Sequence, residues 1–125
     1  MEEIKFNFED LSVWKKAIVF AKEVIILTDR ISTERKHFRL IEQIESSSAS
    51  VASNIAEGAG RFSRKEFINF LYIARGSLFE ALTLLVIFEQ NMWVRKDECQ
   101  NLRLHAREIS RMISGLIISL KRTQL

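Results

Sequence analysis

Apolar residues recur at three- and four-residue spacings along most of the chain, which is the period of one helical face. In the first segment, Leu11, Trp14, Ile18, Ala21, Ile25 and Thr28 form a stripe that Val13, Ala17, Phe20, Val24 and Leu27 widen. Val19 and Ile26 add apolar surface beyond what one core contact needs. The spacing predicts a helix over about 10–31, with Asp10 as N-cap.

A second helix is predicted over about 33–58, with Ser32 or Thr33 as its cap. Ile41, Ile44, Ser48, Val51 and Ile55 keep helical spacing, and Ala49, Ala52 and Ala56 offer a partner face. The run Ser46-Ser47-Ser48-Ala49-Ser50 reads as helix because the periodicity continues through it. Small side chains there permit close approach, at the cost of weak helix propensity. Gly58 and Gly60 are expected to end the segment.

The third start, Ser63-Arg64-Lys65-Glu66, matches a capping box and opens a helix over about 64–90. Phe67, Leu71, Ala74, Leu78, Ala81, Leu85 and Phe88 form its main stripe, and Phe70, Ile73, Leu84 and Ile87 a second. Two stripes imply burial on more than one side, within the bundle or against another subunit. Gly76 is expected to allow close packing, and Asn91 to supply a left-handed stop. Met92-Trp93-Val94 should tuck over the bundle end. A last helix follows over about 96–122, with Leu102, Ala106, Ile109, Ile113, Leu116 and Leu120 in line and Met112 and Ile117 beside them. Four long helices with short joints predict one all-α domain over 1–125, an antiparallel, up-and-down four-helix bundle.

Composition agrees with helices rather than loops. The 125 residues include no proline and four glycines, and 47% are hydrophobic. Cys99 is the single cysteine, so an intrachain disulfide is excluded and a reducing compartment is favoured. The opening Met-Glu-Glu-Ile-Lys-Phe has no signal-peptide character. Lys22 and Glu23 interrupt one apolar run, and Met112–Leu120 is too short to cross a bilayer. The expectation is a cytoplasmic protein with no membrane partner.

Net charge is +3, unevenly spread. Residues 1–34 carry five basic and seven acidic side chains, whereas residues 101–125 carry five basic ones against Glu108 alone. Arg103, Arg107 and Arg111 are spaced by four and form one helical ridge, extended by Lys121 and Arg122. Arg61, Arg64 and Lys65 cluster at the second joint. Such rows bind phosphates by charge and shape, with no base code; the alternative is a solvated face or subunit salt bridges, with Glu108 close to the ridge. Aromatic interleaving is not visible in the sequence around the ridge. Asn54, Glu57 and Arg75 are candidates for a buried interhelical network.

Catalytic chemistry has little to stand on. A phosphate loop, a zinc-protease motif, paired metal-spaced cysteines and a Glu-x-x-His repeat are all missing. His37 and His105 read as surface or interfacial residues, and Cys99 as structural, although a helix start would favour its thiolate if it were exposed. The chain is therefore expected to be no enzyme, with no catalytic residue, cofactor or metal.

Three blocks carry a resemblance: Phe8-Glu9-Asp10-Leu11-Ser12-Val13-Trp14-Lys15-Lys16-Ala17, Ser53-Asn54-Ile55-Ala56-Glu57-Gly58, and Glu66-Phe67-Ile68-Asn69-Phe70-Leu71-Tyr72-Ile73-Ala74-Arg75-Gly76-Ser77-Leu78. In this order they resemble the bacterial four-helix bundle proteins called 23S ribosomal RNA intervening-sequence proteins. The resemblance implies an up-and-down bundle that assembles as a ring-like homopentamer. The related accessory proteins of diversity-generating retroelements imply a possible RNA or DNA partner, or a nucleic-acid-processing protein. Departures are local. Gln43 and Ile44 are followed by Glu45 and Ser46 rather than two arginines, and Ala52 replaces a usual proline. The proline usual between the first two helices is absent as well. Glu80-Ala81-Leu82-Thr83-Leu84-Leu85 places leucines where the family has a charge and an amide, which predicts extra apolar surface. The leading expectation is an oligomeric scaffold or interaction protein, and the alternative an accessory nucleic-acid-binding protein.

Overall fold

The structure is a computed structural model that describes residues 2–31 and 37–122. A short 3₁₀ turn, Asn7–Asp10, precedes four helices: α1 (Ser12–Asp29), α2 (Phe38–Ala59), α3 (Arg64–Gln90) and α4 (Lys96–Arg122). Each helix packs on its chain neighbours, and α4 returns to α1, which closes an up-and-down four-helix bundle.

The core is built from one stripe of each helix. Val13, Ala17, Phe20, Val24 and Leu27 of α1 are buried, whereas Ile18 and Ile25 stand 42% and 41% exposed. The leading stripe expected for α1 is thus the flanking one. Ion pairs explain the rotation: Lys16 meets Glu108 at 3.0 Å and Glu23 meets His105 at 2.9 Å, both across to α4. Thr28 donates to Glu45 of α2 at 3.0 Å. Glu23 Oε2 is buried and, among the described residues, has no hydrogen-bond partner, although His105 Nδ1 lies 2.9 Å away.

Asp10 is not the cap of α1. The Glu9 carboxylate takes the Phe6 N–H at 2.7 Å and folds Asn7–Asp10 into the 3₁₀ turn, leaving Leu11 at the N-cap without a side-chain bond. The second helix starts at Phe38, with His37 before it, and not at 33. Ser32 and Thr33 lie outside the described residues. Ser46–Ser50 is helical, and Ser47 and Ser48 return their hydroxyls to the carbonyls of Ile44 and Glu45. The helix also runs through Gly58, which is buried against Phe67 and Phe70, so Gly58 is a packing glycine rather than a stop.

The third helix follows its expected main stripe, from Leu71 to Phe88, and Ser63 accepts the Glu66 N–H at 3.1 Å. Gly76 faces open space, and the close approach expected of it does not occur within the subunit. Leu84 and Leu85 are core residues; of the family's charge and amide positions, only Leu82 stays partly outside. At the end of α3 the left-handed residue is Met92 (φ 62), not Asn91. Asn91 instead donates its amide to the Ile87 carbonyl at 2.8 Å, which moves the turn one residue on. Val94 is buried, Trp93 stacks on His37 with ring centroids 4.1 Å apart, and Met92 remains exposed.

Contrary to the sequence expectation, α3 is long and apolar enough to cross a membrane by length and composition, with a mean hydropathy of 1.7 over 18 residues. Its core stripe accounts for only part of this. Tyr72, Ile73, Phe79 and Ile87 on the other side remain exposed. The helix is apolar because it carries a core face and an outer face together.

Candidate interaction surfaces

The basic ridge lies on the α3–α4 seam. Arg103, Arg107 and Arg111 line an open groove of about 550 Å³ together with Leu78, Phe79, Leu82 and Leu104. Among the described residues, no carboxylate lies within salt-bridge distance of these three guanidinium groups. Glu108 does not neutralise them, because it turns to Lys16 on the α1 side of α4. The same seam continues through Arg75, which donates to Ser114 at 3.0 Å, and Lys121, which donates to the Tyr72 hydroxyl at 3.0 Å. That bond holds the exposed Tyr72 phenol below its usual pKa, as do the charges of Lys121 and Arg75. An aromatic side chain does accompany the three arginines: Phe79 comes from α3, where a reading of α4 alone does not find it, while Tyr72 lies with Arg75 and Lys121.

The remaining candidates separate from the ridge. Arg61 pairs with Glu57 at 3.1 Å, one turn back in the chain, and lies over the Phe70 ring at 4.7 Å. Arg64 and Lys65 are exposed at the start of α3, and Arg122 at the end of α4. Of the three polar residues expected to join helices, Asn54 and Arg75 do so in separate, partly buried places, and Glu57 does not. Glu57 is exposed, Arg75 ties α3 to α4, and Asn54 donates to the Ser50 carbonyl and hydroxyl within α2, both at 2.8 Å. Ser50 then reaches Ser77 of α3 at 3.0 Å.

Cys99 is buried, and loss of solvation pushes its thiol up to about 11, with the Glu89 carboxylate and its hydrogen bond adding to the shift. The helix-start thiolate considered from sequence is therefore not the state of this residue. Among the described residues, no group of three or more histidine, cysteine or acidic side chains is placed to hold a metal ion.

Two apolar surfaces also face outward. Ile18 and Ile25, with Val19 and Ile26, stand on α1; Ile73, Phe79 and Ile87 stand on α3. These helices are diagonal in the bundle, so the patches point away from each other.

The chain has counterparts in both sequence and fold. The profile of the family described as 23S rRNA-intervening sequence protein matches residues 9–115. The chain belongs to this family. A crystal structure of a protein of unknown function from the S23 ribosomal protein family of Bacteroides thetaiotaomicron has the same fold, with a TM-score of 0.78. It is 27% identical, and the alignment covers 84% of this chain and 97% of that one. None of the curated proteins compared with the chain matches it. Membership in the intervening-sequence family thus explains why the three sequence blocks fall where they do. The first opens α1, the second closes α2 against α3, and the third forms the first half of α3.

Proposed function

We propose that this intervening-sequence protein is a non-enzymatic, self-assembling scaffold or interaction protein. The observation that supports it is the pair of outward apolar patches on α1 and α3. A monomer would leave both in water, where contiguous apolar surface of this kind marks association sites. Because the patches differ and lie on opposite sides, the contact that joins them is head to tail. Repetition of such a contact closes a ring or grows a filament. The family resemblance makes five subunits the preferred number.

Light scattering coupled to size exclusion tests this. The expected mass is five copies of 14.6 kDa, about 73 kDa. Replacing Ile73 and Ile87 together by glutamate should drive the protein toward 14.6 kDa with its helical circular dichroism retained. A wild-type protein that stays at 14.6 kDa at micromolar concentration would defeat the reading.

A second reading is supported by the three unneutralised arginines of the groove: an accessory protein that contacts RNA or DNA phosphates. Contact of this type carries no base code, so affinity should fall steeply with salt and vary little with sequence. Changing Arg103, Arg107 and Arg111 to glutamine should weaken binding at least about tenfold, or roughly 1.4 kcal/mol. Titration of labelled single strands and duplexes at about 50 and 200 mM salt reads this directly. Absence of binding at the lower salt removes the second reading and leaves the first.

A further inference from the structure

We infer that the arginine-lined groove between α3 and α4 receives the N-terminal segment of a second copy of this chain. This rests on the scaffold reading and specifies one contact that reading does not name. The groove has an apolar floor and three guanidinium groups without acidic partners, so it fits a ligand that is acidic and apolar at once. The segment Glu2–Phe6 has that character. Glu2 and Glu3 are exposed beside Ile4, which is 85% exposed, and Phe6 follows at 64%. Ile4 therefore spends almost none of its surface on its own bundle, and among the described residues no acidic side chain competes for the arginines within ion-pair range.

The segment's own groove is out of reach. Phe6 and Phe8 border a pocket with Ala56 and Phe67, at the end of the bundle where α3 begins. Phe6 is held there by the hydrogen bond from its N–H to Glu9. Four residues of extended chain cover about 14 Å from Phe6 to Glu2. Phe79, on the wall of the groove, already lies 12 residues up α3 from Phe67, or about 18 Å. Arg103 lies further still, beside Glu89, about 33 Å along the helix. A neighbouring subunit has no such limit. Its N-terminal segment and its α1 face belong to the same end of the chain, so both can approach the α3 side of the next copy together. The acidic N-terminal region and the basic α4 then become the two halves of one repeated contact.

Cross-linking in the intact assembly tests this. Copies carrying Ile4→Cys are mixed with copies carrying Leu104→Cys and treated with a short bis-maleimide; Cys99 is buried and stays silent. The expected product is a cross-linked pair at twice 14.6 kDa, whereas Ile4→Cys mixed with Met92→Cys should give at least about tenfold less. Glu2→Lys with Glu3→Lys on the Ile4→Cys copy should reduce the 4–104 product by a similar factor. Glu substitution of Arg103, Arg107 and Arg111 on the Leu104→Cys copy should restore it. Circular dichroism and light scattering of each variant confirm fold and assembly. An assembled wild type whose Ile4→Cys links equally to both positions, or ignores charge reversal, overturns the contact while leaving the scaffold reading intact. A monomeric wild type instead removes the scaffold reading, and this contact with it.

Discussion

Truncation of Leu78 to alanine should lower the unfolding free energy by roughly 2–5 kcal/mol, the range for removing a leucine from a site that cannot collapse. Leu78 has no exposed surface and lies midway along the core stripe of α3, between Ala74 and Ala81. Those two alanines are themselves buried, so no longer side chain on the same stripe is available to swing into the void. Guanidinium titration with the slope compared between variants would measure the loss. A change below roughly 1 kcal/mol, the size of an ordinary substitution, would remove Leu78 from the core.

Gly58→Ala is expected to destabilise by about 1–2 kcal/mol although alanine is the better helix former by about 1 kcal/mol. A methyl group built there would stand 2.7 Å from Phe70 Cβ, 3.0 Å from Phe67 Cδ1 and 3.3 Å from the Phe67 carbonyl oxygen. Two of these three atoms are backbone or fixed directly to it, so α2 and α3 must separate to admit the methyl. Gly76→Ala provides the opposite sign. Its methyl meets nothing within the subunit, and the substitution should gain roughly 0.5–1 kcal/mol of subunit stability from propensity alone. Thermal melts of the two variants, side by side, separate packing from propensity. Equal shifts in the two would contradict the close approach at Gly58.

The contrast between these glycines shows what the amino-acid pattern could and could not convey. In sequence Gly58 reads as a helix end and Gly76 as a site of close packing; the neighbouring helix reverses both, crowding the first and leaving the second free within the subunit. The stripe of α3 was legible because large residues alternate with alanine at strict spacing and a capping serine marks its start. The facing of α1 was not, because that helix is apolar on several sides and its orientation is chosen by Lys16, Glu23 and Thr28 through partners far away in sequence. The arginine ridge was legible as a row on one helix. Its groove was not, since Leu78, Phe79 and Leu82 are supplied by α3. Glu108, next to Arg107 in sequence, pairs with Lys16 instead because adjacency along a helix is not adjacency around it: consecutive residues are turned apart by more than a quarter of the circumference.

The seam between α2 and α3 combines the Ser50–Ser77 hydroxyl pair, Asn54 behind it and the bare Gly58 against Phe70. Its consequence concerns uniqueness more than strength. Aliphatic stripes repeating every turn are nearly indifferent to a slide of one turn, about 5.4 Å, along the partner helix. A slide here would part the two serines, leave Asn54 holding a hydroxyl with no counterpart and carry Phe70 off the bare backbone of Gly58. The polar pair and the glycine thus fix the register of two helices whose apolar residues alone would tolerate several.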